Sequence, residues 1–175
     1  PDVGQWQGEE TTTDVLEKII GENTLRPIDF LQRGLDVARA TAYIGVKSED
    51  ERWSGTGFLV AEDLLLTNNH VLPSAELSHN ALFRFNYEDD FLGHAQPCDE
   101  YHTKPDGLFY TNKELDYTLV QLDGNPGHKW KWLPLLPRNI RRKQRVNIIQ
   151  HPAGRPKEIS FQNNFVESVG GDVVQ

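Results

Sequence analysis

Cysteine is almost absent from this sequence, and methionine is absent altogether. The 175 residues contain one cysteine, Cys98, so no disulfide can form within the chain. Since disulfides are typical of secreted proteins, this composition favours a reducing compartment, and we expect a cytoplasmic location. The chain begins at Pro1 without an initiator methionine and ends on an apolar segment. We therefore also expect a fragment of a longer polypeptide, or one chain of a cleaved pair.

Basic residues are fewer than acidic residues in this sequence. Lysine and arginine number 18 against 26 aspartate and glutamate residues, which gives a net charge of −8. Because proteins bind nucleic acids largely by neutralising phosphates, we expect no nucleic-acid partner. The one basic run, Arg138 to Arg145, is interpreted as a solvated connector. No segment approaches the ~20 consecutive apolar residues of a membrane span, and no signal-peptide pattern is present, so no membrane partner is expected.

Signatures of cofactor sites are also missing. The sequence has no glycine-rich phosphate loop and no dinucleotide-binding fingerprint. His94, Cys98 and His102 would share one face of a helix, and zinc favours such ligands. However, Pro97 lies inside that span and disfavours a helix there. We therefore expect neither a metal ion nor another cofactor.

The first 41 residues differ in periodicity from the rest of the chain. We predict an N-terminal extension over residues 1–41 with two short helices, the first at about 14–20. The second, at about 27–40, is predicted from apolar residues at helical spacing: Ile28, Leu31, Leu35 and Ala38. We interpret this helix as a brace packed on the adjoining barrel. The alternative is a docking or activation segment.

From Ala42 onward the pattern changes to that of short strands. Alternating or continuous apolar segments of a few residues are separated by turn signals, as at Glu88 to Asp90. Such spacing is typical of an all-β barrel or sandwich. Asn125-Pro126-Gly127 marks the crossing to a second unit, in which His151 is interpreted as a turn residue.

Residues 55–71 form the most informative segment. Two glycines, Gly55 and Gly57, are interpreted as sites of backbone freedom before a short apolar strand. After a turn, a second strand ends at Thr67, and the polar corner Asn68-Asn69-His70-Val71 follows. The two asparagines are interpreted as structural, supplying side-chain hydrogen bonds at the corner. The histidine thus comes at the residue where a buried strand breaks.

A second segment places a carboxylate at the start of a strand. Asp116 opens the run Leu115 to Leu122, in which Leu119, Val120 and Leu122 are expected to be buried. The interval between His70 and Asp116 leaves room for about three further strands of a small barrel. A carboxylate bonded to an imidazole fixes its tautomer and stabilises the imidazolium.

These two segments, in this order, resemble the histidine and aspartate segments of trypsin-like serine peptidases of the disulfide-free bacterial type. The segment Ile148 to Ser160, with its His-Pro-x-Gly turn, is similar to the early second barrel of that group. The resemblance covers roughly residues 42–175. It implies an all-β, chymotrypsin-like double β-barrel, with a nearly complete first barrel at 42–125 and a linker and first strands of the second at 126–175. It also implies that His70 is the general base and that Asp116 orients it.

The serine segment of the family is not found in these residues. No Gly-x-Ser-Gly occurs, and the nearest imitation, around Ser168, lacks the glycines on both sides of the serine. We therefore expect the nucleophile to come from sequence beyond Gln175 or from a companion chain, such as the protein's own C-terminal half. The chain by itself is expected to be inactive.

The resemblance implies a serine endopeptidase that acts on a protein substrate. The cytosolic composition and the helical lead-in resemble bacterial peptidases of signalling or defence proteins. The alternative is a catalytically inactive trypsin-like barrel that serves as a protein-binding or regulatory module. The presence of both His70 and Asp116 favours the enzyme, because such a module has no chemical need for the pair.

Overall fold

A computed structural model of the chain describes residues 27–161, 164–170 and 173–174. The helix predicted at about 14–20 lies outside these residues. The described elements, in chain order, are α1 (Asp29–Arg39), β1 (Thr41–Lys47), β2 (Arg52–Leu59), β3 (Leu64–Thr67), α2 (Ala75–His79), β4 (Leu82–Phe85), β5 (Asp99–Tyr101), β6 (Phe109–Asn112), β7 (Tyr117–Gln121), α3 (Gly127–Trp130), β8 (Ile148–Gln150), β9 (Glu158–Ser160), β10 (Val169–Gly170) and β11 (Val173–Val174).

Seven antiparallel strands form one sheet in the order β5-β4-β1-β2-β3-β7-β6. The sheet curls until the chain just after β5 meets the end of β7, through a bridge between Thr103 and Leu122. The two edge strands do not pair along their length, so the barrel is nearly complete but not closed. This arrangement confirms the all-β fold class and the nearly complete first barrel.

The core lies inside this curled sheet and follows from the alternation of the strands. In β7, Thr118 and Val120 are buried while the residues beside them are partly exposed, because successive side chains of a strand point to opposite faces. The fully buried large side chains are Phe83, Phe85, Ile44, Leu59, Leu65, Leu72, Leu122 and Val120. In β4 the same alternation buries Phe83 and Phe85.

Helix α1 covers the range where the second helix was predicted, but it packs through only one flank. Phe30, Gly34 and Ala38 are half-buried, and the Ile159 side chain approaches Gly34. The other apolar flank is open, with Ile28 83% and Leu35 65% exposed. Within the described residues, α1 therefore packs as the predicted brace along one flank only.

After β7 the described residues form a connector and two short hairpins. Trp130 of α3 is buried and stacks on Phe85 of the core, with ring centroids 6.0 Å apart, so the connector is anchored to the first barrel. Two short hairpins follow, β8 with β9 and β10 with β11. The division into extension, first barrel and second unit at residues 41 and 125 stays a prediction.

Candidate active site

The His70 corner is a tight turn at the end of β3. The backbone N–H groups of Val71 and Leu72 donate to the carbonyl of Asn68 at 3.2 and 3.1 Å. The turn reverses the chain at the rim of the sheet and leaves the His70 side chain 70% exposed. An exposed imidazole on an anchored turn is accessible to a substrate.

Asp116 reaches the same rim from the turn between β6 and β7. This turn is capped by the Asn112 side chain, whose Oδ1 accepts the N–H of Leu115 at 2.8 Å. Asp116 has a φ of 50°, in the left-handed region. Aspartate tolerates that conformation better than most residues, and this backbone geometry brings its carboxylate against the His70 corner.

His70 and Asp116 are joined twice. The backbone N–H of His70 donates to Oδ1 at 3.0 Å, and the ring Nδ1 lies 2.8 Å from Oδ2. A carboxylate at this nitrogen favours the tautomer with hydrogen on Nδ1. The other ring nitrogen, Nε2, then carries the lone pair that proton transfer requires.

Asn68 also acts on the carboxylate. Its Nδ2 donates to Asp116 twice, to the backbone carbonyl at 3.1 Å and to Oδ2 at 3.2 Å. The sequence interpretation of Asn68 as a structural corner residue is therefore too narrow. No signal in the sequence distinguished its role from that of Asn69, which bonds elsewhere.

These bonds lower the pKa of Asp116 from its ordinary value of 3.8. The backbone N–H of His70 is the largest cause, and the His70 ring and the Asn68 amide add to it, against a smaller opposing effect of burial. Donors to the ionised form favour that form. Asp116 is accordingly a carboxylate at neutral pH, as stabilisation of an imidazolium requires.

An open depression lies beside His70. Its other lining residues are Glu51, Arg52 and Trp53, at the start of β2. The Trp53 indole is held in place because its Nε1 donates to the carbonyl of Val71 at 2.8 Å. The depression leaves open space next to the imidazole.

Gly55 serves close packing at this corner. A Cβ on Gly55 would lie 2.5 Å from both methyl groups of Val71, which directly follows His70. Gly55 and Gly57 are not among the glycines with positive φ. The interpretation of backbone freedom is thus wrong for this pair, and Gly55 is required because Val71 packs on it.

Ser168 lies at a different depression, lined with Arg142, Lys143 and Glu167 among others. His70 does not line that depression. Ser168 and His70 thus line separate depressions.

His151 is more than a turn residue. It is 3% exposed, stacks on Tyr87 and contacts Tyr43 edge-on. Its Nδ1 lies 3.1 Å from the carbonyl of Arg155, and its Nε2 is buried without a hydrogen-bond partner in the described structure. Burial is the main cause that lowers the pKa of His151 to about 4; the Lys157 ammonium acts in the same direction, and the Arg155 carbonyl and Glu88 oppose it.

Lys157 and Glu88 tie the same segment to the first barrel. The Lys157 side chain is buried and donates to Glu88 at 3.0 Å, and the Lys157 backbone N–H donates to the carbonyl of Tyr87. Burial lowers the pKa of Lys157 despite this partner. The start of the second unit is therefore docked through an aromatic and ionic contact.

The residues weighed as a metal site are dispersed. His94 lies near Asp90, whereas the His102 Nδ1 lies 3.3 Å from the carbonyl of Ala81. The chain between them contains strand β5, so no helix aligns them. Over residues 27–161, 164–170 and 173–174, no group of three or more His, Cys, Asp or Glu side chains is placed to hold a metal ion. In the same part of the chain, no helix has the length and apolar character to cross a membrane.

Two curated proteins show what the chain is similar to. It is 38% identical over 168 residues to the uncharacterized protein y4fB of Sinorhizobium fredii, covering 88% of this chain and 25% of that protein. It is 26% identical over 170 residues to the secreted RxLR effector protein 73 of Plasmopara viticola, covering 91% of this chain and 42% of the relative. The chain thus spans less than half the length of these relatives.

Solved structures share its fold. A serine endoprotease from Yersinia pestis superposes with a TM-score of 0.57 at 17% identity, over 83% of this chain and 47% of its own. Deg5 gives 0.55 at 15% identity, over 85% and 69%. The inactive form of Rv3671c from Mycobacterium tuberculosis gives 0.53 at 14% identity, over 81% and 60%.

The family comparison covers most of the chain, including both halves of the site. The profile described as "Trypsin-like peptidase domain" matches residues 55–174, a range that holds His70 and Asp116. The curled antiparallel sheet and the solved structures agree with that match. The chain therefore belongs to the trypsin-like peptidase family.

Proposed function

We propose that this chain is the histidine–aspartate part of a serine endopeptidase that hydrolyses peptide bonds of a protein substrate. The observation that carries the proposal is the pair of hydrogen bonds between His70 and Asp116, at 3.0 and 2.8 Å. It fixes Nδ1 of the imidazole and leaves Nε2 for proton transfer. A fixed, exposed base beside an open depression suits attack on a peptide bond.

The proposed reaction uses this geometry as follows. Nε2 of His70 takes the proton of a serine hydroxyl while the serine oxygen attacks the peptide carbonyl. His70 then gives the proton to the leaving amine as the peptide C–N bond breaks. In the second half of the reaction, His70 takes a proton from water, which attacks the acyl group. His70 returns this proton to the serine oxygen as the acyl group leaves. Asp116 stays ionised throughout and stabilises the imidazolium. The serine and the oxyanion hole are supplied by sequence beyond Gln175 or by a companion chain, so residues 1–175 alone are inactive.

The comparisons support this proposal at the level of the family. One of the solved structures is described as a serine endoprotease. Because this chain spans only a quarter of one curated relative and 42% of the other, the substrate remains part of the proposal. We also propose a cytoplasmic location, from the single cysteine, and a role in bacterial defence or signalling.

A second candidate is a catalytically inactive barrel that binds or regulates another protein. One observation favours it: Gly-x-Ser-Gly does not occur in the 175 residues. The two candidates differ in whether His70 is needed for function.

The test uses the natural polypeptide in its full length and a labelled protein substrate such as casein. The peptidase predicts hydrolysis that His70→Ala abolishes and Ser168→Ala leaves unchanged. An intact-mass spectrum under denaturing conditions shows whether a second chain is present, and peptide sequencing shows whether that chain carries Gly-x-Ser-Gly. Hydrolysis by residues 1–175 alone that Ser168→Ala abolishes contradicts the proposal, and binding functions indifferent to His70→Ala favour the inactive barrel.

A further inference from the structure

Three threonines form a row across the sheet just inside the rim that carries His70 and Asp116. Thr67 of β3 lies opposite Thr118 of β7, and Thr118 lies opposite Thr111 of β6. Thr67 and Thr118 are buried, and Thr111 is half-buried. Threonine is common in strands, but here the hydroxyls of two of these residues connect to the catalytic corner.

A chain of hydrogen bonds runs through this row. The Asn69 Nδ2 donates to Thr111 Oγ1 at 2.8 Å, and the two hydroxyl oxygens of Thr111 and Thr118 are 2.6 Å apart. Thr118 Oγ1 donates to the carbonyl of Leu72 at 2.8 Å. Both Thr118 and Leu72 have an exposed fraction of 0%.

The number of hydroxyl hydrogens determines which group donates at each step of the hydrogen-bond chain. Each hydroxyl has one hydrogen, and that of Thr118 is committed to the Leu72 carbonyl. The Thr111 hydrogen has two acceptors in reach, Thr118 Oγ1 at 2.6 Å and the Tyr117 carbonyl at 3.2 Å. We assign it to the shorter contact with Thr118, while Thr111 accepts from the Asn69 amide. The order is Asn69 to Thr111 to Thr118 to Leu72, with every hydroxyl both donating and accepting. Such chains strengthen one another in a buried setting.

Both ends of this hydrogen-bond chain lie on the turn that carries His70. Asn69 directly precedes His70, and Leu72 follows it by two residues. The middle of the chain, Thr111 and Thr118, belongs to the β6–β7 hairpin whose turn presents Asp116. The chain therefore links the two backbone segments whose relative position sets the His70–Asp116 distances.

We propose that Asn69, Thr111 and Thr118 are positioning residues for the peptidase reaction, which hold the His70 corner against the Asp116 hairpin through this hydrogen-bond chain. The activity readout rests on the proposed function, whereas a second readout, the ionisation of Asp116, does not. If the corner moves away, the His70 N–H leaves Oδ1, and the main cause of the lowered Asp116 pKa is lost.

The key variant is Thr118→Val, which keeps the shape of the side chain and removes the hydroxyl. We expect kcat of the full natural polypeptide to fall by about tenfold to a hundredfold with KM unchanged, since small misplacements of catalytic groups have that cost. In carboxyl-¹³C NMR titrations the pKa of Asp116 should rise toward its ordinary value. Thr118→Ser, which retains the hydroxyl, should restore both quantities.

Thr103→Val is the matched control. Thr103 is also a buried threonine whose hydroxyl donates to a backbone carbonyl, that of Ser78 at 3.2 Å, but it has no link to the corner. It should lose stability without a change in kcat or in the Asp116 pKa. If Thr118→Val does not fold, Asn69→Ala and Thr111→Val are measured instead, because both positions are half-buried.

The outcomes separate the two proposals. Equal behaviour of Thr118→Val and Thr103→Val in kcat and in the Asp116 pKa overturns the positioning role. If the wild-type protein shows no hydrolysis at all, the proposed function fails. A raised Asp116 pKa in Thr118→Val would then still support the hydrogen-bond chain, and an unchanged one would overturn it.

Discussion

Asp116 receives two bonds from His70, one from the backbone N–H to Oδ1 at 3.0 Å and one from the ring Nδ1 to Oδ2 at 2.8 Å. The first bond holds the carboxylate at the corner independently of the orientation and protonation of the imidazole ring. The second then sets the orientation and tautomer of the ring. Both bonds are thus made within residues 68–116 of this chain.

Replacement of Asp116 by asparagine should leave the corner folded but disable the base. An amide can still accept from the backbone N–H, yet it cannot stabilise an imidazolium and can present the wrong tautomer. We expect kcat to fall by about 10⁴-fold in the full natural polypeptide. Asp36→Asn, on the exposed face of α1, is the control. A loss smaller than about tenfold contradicts the assigned role of Asp116.

Loss of the Asn68 amide should raise the pKa of Asp116 toward 3.8, because a donor to the ionised form is removed. The shift should be modest, since the His70 N–H remains the main donor. Carboxyl-¹³C NMR of Asn68→Ala measures it. Asn164→Ala, whose amide bonds to Ser160 in the second unit, should leave the Asp116 pKa unchanged. An unchanged Asp116 pKa in both variants would show that the Asn68 amide bonds only to the Asp116 backbone carbonyl and not to its carboxylate.

A methyl group at Gly55 should push Val71 out of place. The added Cβ would meet Val71 at 2.5 Å, and overpacking of this kind costs about 1–3 kcal/mol of stability. Since Val71 follows His70, kcat should fall as well. Chemical denaturation and hydrolysis assays test this against Gly170→Ala, where a Cβ meets nothing within 4 Å. Wild-type stability of Gly55→Ala would refute the packing role.

Stability should fall as the pH drops from 6.5 to about 4 because of His151. The ring stays neutral in the folded protein down to about 4, whereas the unfolded chain binds a proton below 6.5. The loss amounts to about 3 kcal/mol at most below both values. Above 6.5 the ring is neutral in both states and contributes no pH dependence.

Denaturation curves between pH 4 and 7 measure this effect. His151→Gln should flatten the dependence over that range, whereas His79→Gln, at an exposed position, should keep it. The ring contacts with Tyr43 and Tyr87 contribute to the burial that causes the effect. Equal pH slopes for His151→Gln and the wild type would show that the ring takes up its proton without cost.

The family and the His70–Asp116 pair could be predicted because their signals are local. Strand, turn, strand and histidine follow one another within residues 55–71, and Asp116 opens a strand with its own apolar pattern. Short apolar segments between turn signals likewise predict the all-β fold class. Each of these features depends on residues close together in sequence.

The supports of the site depend on contacts between distant residues, and the sequence did not reveal them. Asn68 and Asn69 look alike in the sequence, yet one bonds to Asp116 and the other to Thr111. The need for Gly55 arises from Val71, and burial of His151 arises from Tyr43 and Tyr87. Local patterns carry no information about which distant side chain a residue will meet.

Labelling of the full natural polypeptide with a fluorophosphonate probe, followed by peptide mapping, shows in the wild type and in His70→Ala whether His70 activates a serine. We expect one labelled serine, in a Gly-x-Ser-Gly segment outside residues 1–175, and loss of labelling in His70→Ala. No labelled serine, labelling at Ser168, or labelling unaffected by His70→Ala would contradict the proposed function.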